Sequence, residues 1–396
     1  MSTISHADTG RRAETHGFAL GLAGLLLLAL NLRPALASIG PLLDLIQKST
    51  GLSNTSASLL TVLPVIAMGL GALAGGWLQR HLGERRGVAA GMALIALACL
   101  SRLLPAGGAG LLASAVLAGI GISLVQALLP TVIKRRYGAQ SGRMLGLYTT
   151  GIMGGAAIAA ASAAGLSNWL GWDGALGFWA IPACVALLIW LVTEPAARRT
   201  QSTAAAPPIN WLQRRRTWEL LAFFGLGTGA FTLMLAWLPP FYTGLGWERA
   251  DAGFLMAGLT VTEVVAGLLV SALIGRFPDR RGPLLLVLSL LLAGLGCLIL
   301  APEALAVPAC IALGLGIGSL FPLSMILAMD QAERPADAGA LLSLVQGGGY
   351  LLASLVPLLA GYLRDHFADL TQAWMAMGVG VVVMMMLCLR FRPIRH

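Results

Sequence analysis

"LLALNLRPALASIGPLL", residues 27–43, sets Arg33 and Pro34 in the middle of an apolar run that begins near Phe18. What surrounds that arginine decides the fold, because a charge enters an apolar interior only where something compensates it. The whole chain is of the same character: 57% of its residues are hydrophobic and 11% are charged, with a mean hydropathy of +0.82. A soluble domain carries about 25% charged residues. A soluble core cannot use this much apolar surface, so the solvent for most of it is lipid.

Twelve windows of about 20 nearly uncharged residues, the length a helix needs to cross about 30 Å of hydrocarbon, recur along the sequence. They lie at 18–43, 56–80, 87–105, 108–133, 144–167, 172–193, 217–243, 250–276, 283–301, 304–329, 339–363 and 371–390. The joints are short and hold the charges, as in "QRHLGERRG" (79–87) and "IKRRYGAQSGR" (133–143). A membrane barrel would show short alternating segments instead. The expected class is an all-α membrane protein.

Lysine and arginine collect on one side of the membrane. With the amino terminus inside, only Lys48, Arg102, Arg249 and Arg364 fall at the outer side and Arg33 lies within the membrane, leaving the rest of the 26 inside. The positive-inside rule then places both termini in the cytoplasm of a multi-pass inner-membrane protein. The net charge of +9 is accounted for by loops beside anionic lipid, with no need of nucleic acid. Arg11 and Arg12 ahead of the first run, and "ALA" at 35–37, imitate a signal peptide, but an arginine and a proline just before the cut suit cleavage poorly. Cys99, Cys184, Cys297, Cys310 and Cys388 sit in or beside apolar spans without a CxxC pair and read as small hydrophobes, with no metal site.

A shift of 195 residues aligns "GERRG" (83–87) with "PDRRG" (278–282). The same shift pairs Gly51, Ala57 and Leu60 with Gly246, Ala252 and Leu255, Gly119 and Gly121 with Gly314 and Gly316, and Gly154 with Gly349. One offset over such a distance implies two pseudo-symmetric six-helix bundles. The expected layout is a tail at 1–17, a first bundle at 18–193, a basic Ala/Pro-rich linker at 194–216, a second bundle at 217–390 and a tail at 391–396. Such duplication, with no HExxH, GxSxG, selectivity-filter run or convincing Walker A sequence, points to a monomeric secondary transporter working by alternating access, without a cofactor. A channel, a membrane-embedded enzyme and a ligand-sensing receptor are the competing classes.

The stretch "GRFPDRRG" (275–282) resembles the loop signature of the major facilitator superfamily in its second-half copy. "LNLRPALASIGPLL" (30–43), "SLLTVLPVIAMG" (58–69), "LLPTVIKRRY" (128–137), "WLPPF" (237–241) and "SLVQGGGYLLASLVPLLAGYLRD" (343–365) resemble its cyanate and 2-nitroimidazole transporter branch. That resemblance implies a small anion or polar weak acid as cargo, cyanate-like or a small heteroaromatic. Export of small amphipathic toxic compounds is the alternative. The first-half signature departs from the pattern, with Arg80 where the aspartate usually stands and His81 after it. Arg85, Asp279 and Arg280 are the candidate gating residues; Asp279 is expected to cap a neighbouring helix or pair with a loop arginine.

An arginine at mid-membrane should face a cavity or a partner. Ala29, Leu30, Ala37 and Gly40 share its helical face, and three of the four are small. Pro34 cannot donate to the Leu30 carbonyl, so a loosened turn is expected beside the charge. The planar guanidinium fork suits a carboxylate or another small anion, and the competing role is a permanent pair with an internal acid. Glu263, in "GLTVTEVVAGLL" (258–269), is that acid, and either carries a coupling proton or serves as a structural hydrogen-bonded group. Asn31, Gln126 and Gln346 offer amides for substrate or for a neighbouring helix, and Tyr148, Trp237, Tyr242 and Tyr350 offer aromatic walls or plain packing. The pairs Gly71/Gly75, Gly87/Gly91 and Gly151/Gly155 have the spacing of close helix contacts.

Overall fold

A computed structural model of the chain describes residues 21–104, 107–194, 211–330, 335–367 and 369–391. The amino-terminal tail, most of the linker and the last five residues lie outside the described residues. Regular structure among those described is all helical, in twelve helices. These are α1 (Gly21–Thr50, interrupted), α2 (Asn54–Leu82), α3 (Glu84–Ser101), α4 (Gly107–Tyr137), α5 (Ser141–Gly177), α6 (Ala180–Thr193), α7 (Arg215–Gly244), α8 (Arg249–Leu273), α9 (Arg281–Leu300), α10 (Ala306–Met329), α11 (Pro335–Phe367) and α12 (Thr371–Arg390).

Ten are long and apolar enough to cross a membrane by length and composition. The other two depart for visible reasons. α3 opens with Glu84, Arg85 and Arg86, and α6 has 14 residues because α5 breaks at Gly171 (φ 75°). The stretch 172–177 beyond that break turns back and completes the sixth span, at the boundary expected between the fifth and sixth windows. α1 runs past its window to Thr50 because Leu43–Thr50 is a further helical turn pair, with Asp44 in its first turn and Lys48 in its last, each favourable to the helix dipole.

The internal repeat survives as equivalent contacts. A Cβ on Gly119 would overlap Pro64 of α2, and a Cβ on Gly314 would overlap the Leu259 carbonyl of α8; Pro64 and Leu259 are themselves 195 residues apart. Gly154 meets Leu30 of α1 as Gly349 meets Gly225 of α7, again at that offset. The GxxxG pairs do what their spacing implies: Gly71 and Gly75 lie on Ser123 and Ala127, Gly87 and Gly91 on Leu128 and the Gly121 carbonyl, and Gly151 and Gly155 on Ala29 and Leu30.

α1–α6 and α7–α12 meet mainly along α2–α11 and α5–α8. Gly69 and Gly347 bring the α2 and α11 backbones together, and Gly253 of α8 lies on the Ala160 carbonyl of α5. At the end away from the termini, hereafter the distal end, Asp365 of α11 caps the first turn of α2. Its carboxylate accepts from Asn54 N (3.0 Å), Asn54 Nδ2 (2.9 Å), Thr55 N (2.8 Å) and Thr55 Oγ1 (2.5 Å). Nearby, Thr243 Oγ1 donates to Asp44 at 2.5 Å, again across the halves. At the opposite, terminal end the ion pairs among the described residues run within one half. Arg135 joins Glu84 and Glu194, Arg136 joins Glu194, Arg280 joins Asp330, and Arg390 joins Glu219.

Gly155 packs directly on the Leu30 carbonyl where α1 comes apart, whereas Gly146 on the same helix faces open space. Gly155→Ala is therefore expected to destabilise the detergent-solubilised protein by about 1–3 kcal/mol, the usual cost of overpacking. Gly146→Ala should leave the melting curve in place, and equal curves for the two variants would contradict this packing.

Candidate substrate site at the seam between the halves

α1 comes apart where its sequence cannot sustain the hydrogen-bond ladder. The Asn31 and Leu32 amides reach back only three residues, to Leu28 (3.2 Å) and Ala29 (3.1 Å), and Pro34 has no N–H to give Leu30. Asn31 Nδ2 ties the last turn by donating to the Leu27 carbonyl at 2.7 Å. Helix resumes as Pro34–Ala37, with proline in its favoured first-turn position and Arg33 at the N-cap. The loosened turn expected beside the charge is thus a full interruption at 31–33.

Arg33 is 6% exposed, and its Nε has no hydrogen-bond partner. Among the described residues its guanidinium makes no hydrogen bond or ion pair. One face lies over the ring of Phe231 on α7, 5.3 Å from the centroid. Three titratable groups are near enough for their fields to reach it: Tyr350 of α11, Tyr148 of α5 and Glu263 of α8. Tyr148 has a buried hydroxyl without a partner, and Tyr350 packs edge-on against Phe224. Glu263 is 4% exposed, with neither carboxylate oxygen receiving a donor. Its backbone is pressed against Gly318 of α10, which fixes the depth at which the carboxyl emerges.

Four helices from both halves therefore bring together a guanidinium, a carboxyl and two phenols whose hydrogen-bonding capacity the fold leaves largely unused, and a fifth, α7, adds the Phe231 ring. Buried polar groups are nearly always satisfied, and each exception asks for an explanation. A direct Arg33–Glu263 ion pair is not formed in this state. A small anion could accept two parallel N–H donors from Arg33 while lying against aromatic faces.

The remaining candidates stand differently. Gln346, one turn before Tyr350, donates to Met325 Sδ at 3.5 Å, and Gln126 on α4 is half-buried. Trp237 and Tyr242 are fully buried with their polar atoms engaged. Trp237 Nε1 donates to the Pro357 carbonyl and Tyr242 Oη to the Pro302 carbonyl, each at 3.0 Å, while Arg364 stacks on the Trp237 ring. Arg85 binds the Leu191 carbonyl (2.6 Å), and Arg280 binds Asp330 and the carbonyls of Ile274 and Phe277. Asp279 accepts from the side chain and amide of Arg281, and that side-chain hydrogen bond holds its carboxyl below the usual range. All three loop residues thus bond within their own half. Phe231 escapes a reading of the sequence, because one phenylalanine in an apolar helix carries no signal. Only the offset that sets α7 against α1 directs attention to that stretch. Among the described residues, no group of three or more His, Cys, Asp or Glu is placed to hold a metal ion.

Comparison with known proteins agrees with this architecture. The chain is 39% identical over 376 residues to the cyanate transport protein CynX of Escherichia coli (strain K12), covering 94% of this chain and 97% of that one. It is 30% identical over 369 residues to the 2-nitroimidazole transporter of the same organism, covering 92% of each. Among solved structures, a bacterial homolog of the human lysosomal transporter Spinster, inward-facing and unoccupied, superposes with a TM-score of 0.77 at 15% identity, over 95% of this chain and 96% of that one. The Major Facilitator Superfamily model matches residues 19–357, and with twelve helices in two equivalent bundles the chain belongs to that family of secondary transporters, not to an enzyme class.

Proposed function

We propose that the protein carries a small anion of the cyanate type across the inner membrane, with Arg33 as its principal ligand. The observation that carries this reading is the buried guanidinium at the seam of the two halves, whose Nε is without a partner and which makes no hydrogen bond among the described residues. A permanently charged group in that position gains most from a cargo of opposite charge. Its planar fork and the Phe231 face beside it favour a compact, flat or linear anion. Similarity to CynX and to the 2-nitroimidazole transporter supports the same class, since cyanate and a nitro group both present electron-rich atoms on a small frame. Tyr148, Tyr350, Gln346, Gln126 and Asn31 complete the proposed surroundings, and Trp237 and Tyr242 serve as its distal wall.

Glu263 is proposed to take up a proton with the anion. Moving one charge across 100 mV involves about 2.3 kcal/mol, and an inside-negative potential opposes entry of a bare anion. A proton on Glu263 cancels that charge during passage. With both termini in the cytoplasm, as the basic joints support, residues 18–193 and 217–390 rock as two bodies joined by the 194–216 linker. The distal end is then the outer one, and the Asp365 cap on α2 and the Asp44–Thr243 bond hold it shut while the inner side is open.

Four outcomes are expected in purified protein and proteoliposomes. Radiolabelled cyanate should bind the wild type and be competed by 2-nitroimidazole if both share the site. Arg33→Ala should weaken that binding by about 10- to 100-fold, the scale of a charged hydrogen bond lost, while melting stays near wild type; Arg33→Lys should recover part. Undiminished affinity in a folded Arg33→Ala protein excludes the assignment. Glu263→Gln should keep cyanate exchange but lose its acceleration by an inward proton gradient, and retained acceleration excludes the coupling role. Asp365→Ala should lengthen the spin–spin distance between labels at Leu52→Cys and Phe367→Cys in a cysteine-free background. An unchanged distribution would remove Asp365 from the gate.

A further inference from the structure

Arg102, at the distal end of α3, is expected from its sequence position to sit at the membrane surface, yet it is 4% exposed. Among the described residues it has no acidic partner. Its Nη1 donates to the Ala35 carbonyl of α1 at 2.8 Å, and its Nε to Ser114 Oγ of α4 at 3.0 Å; Ser114 in turn donates to the Leu111 carbonyl at 2.7 Å. Ala35 is two residues from Arg33, in the four-residue turn for which Arg33 is the N-cap.

The identity of the acceptor explains why a second arginine is buried here. In a continuous helix the Ala35 carbonyl would receive the Ile39 amide, but that amide bonds Leu36 instead, at 3.1 Å. The broken helix thus leaves an orphan carbonyl inside the protein, and a buried acceptor of that kind is costly unless something donates to it. Arg102 supplies the donor from a different helix, and Ser114 fixes the guanidinium from a third. The neighbouring carbonyl of Pro34 is taken locally by Ser38 Oγ at 2.7 Å, so the turn is held from inside and outside at successive carbonyls.

We infer that Arg102 is a positioning residue for anion binding: by clamping the Ala35 carbonyl it fixes the turn that aims Arg33 at the cargo. This rests on the proposed role of Arg33. Nothing in the contacts of Arg102 gives it access to substrate, so its effect must pass through the turn.

The test separates positioning from support of the fold. Arg102→Met replaces a buried charge by an apolar chain of similar length, a change that often leaves stability intact, while Arg102→Lys keeps one donor. Sodium cyanate is the probe, read by binding to purified protein, with hydrogen exchange of the amides between residues 31 and 43 measured on the same samples. Arg102→Met is expected to speed that exchange and to weaken cyanate binding about tenfold, the scale seen when an orienting partner of a ligating group is removed. Arg102→Lys should restore part of both. In an Arg33→Ala background, Arg102→Met should cause no further loss of affinity, because there is no guanidinium left to aim. Equal losses in the two backgrounds, or full affinity in Arg102→Met beside a weakened Arg33→Ala, would overturn the positioning role while leaving Arg33 as ligand. Full affinity in Arg33→Ala would overturn both. If Arg102→Met fails to fold, Arg102→Lys alone decides: wild-type exchange and affinity with a shorter, single-headed donor would refute the clamp.

Discussion

A guanidinium that cannot lose its charge, placed where water is scarce, constrains everything packed around it. Arg33 needs room, which the small neighbours of α1 supply, and a backbone that does not crowd it, which Pro34 and the interruption at 31–33 supply. The interruption creates its own demands. Leu30 and Ala35 lose their usual donors, Gly155 must lack a side chain so that α5 can approach the first, and Arg102 must reach across from α3 to satisfy the second. One buried charge therefore accounts for a proline, a glycine and a second buried arginine on three helices.

The same economy shapes the seam. Close approach between the halves is made by backbone against backbone at Gly69, Gly347 and Gly253, where no side chain intervenes. Such contacts depend on fit and have no long side chains to disentangle, so they can part and re-form. Directional bonds across the seam appear at the distal end, at Asp365 and Asp44. Among the described residues the terminal end keeps its ion pairs inside each half. Fastening at one end and separateness at the other is the asymmetry an alternating carrier requires.

Much of this was legible in the sequence because lipid simplifies the code. Spans must be apolar and long, charges must gather in joints, and a duplicated bundle leaves a constant offset, so the windows and the repeat appear as helices and equivalent contacts. Arg33 and Glu263 stood out because a charge inside a span is expensive and few spans contain one. Arg102 did not, because a charge near a span's end normally snorkels to the surface, and only the orphan Ala35 carbonyl explains its burial. Phe231 stayed hidden because its partner is 198 positions away. The break at Gly171 was visible only as a gap between two windows, since glycine is common in membrane helices and its positive φ is not written in its neighbours.

The stacking of Phe231 on Arg33 divides the proposed binding site between the two halves: the charge belongs to the first half and its apolar cover to the second. If the halves rock as proposed, that cover would slide relative to the charge without breaking any strong bond, because a cation over a ring is held by a broad, shallow attraction. Uncovering admits water to the guanidinium. Strongly attracted cargo could then leave by exchanging a protein donor for a hydration shell, so the rate of release would be set by wetting of the site more than by the strength of the bond that captured it.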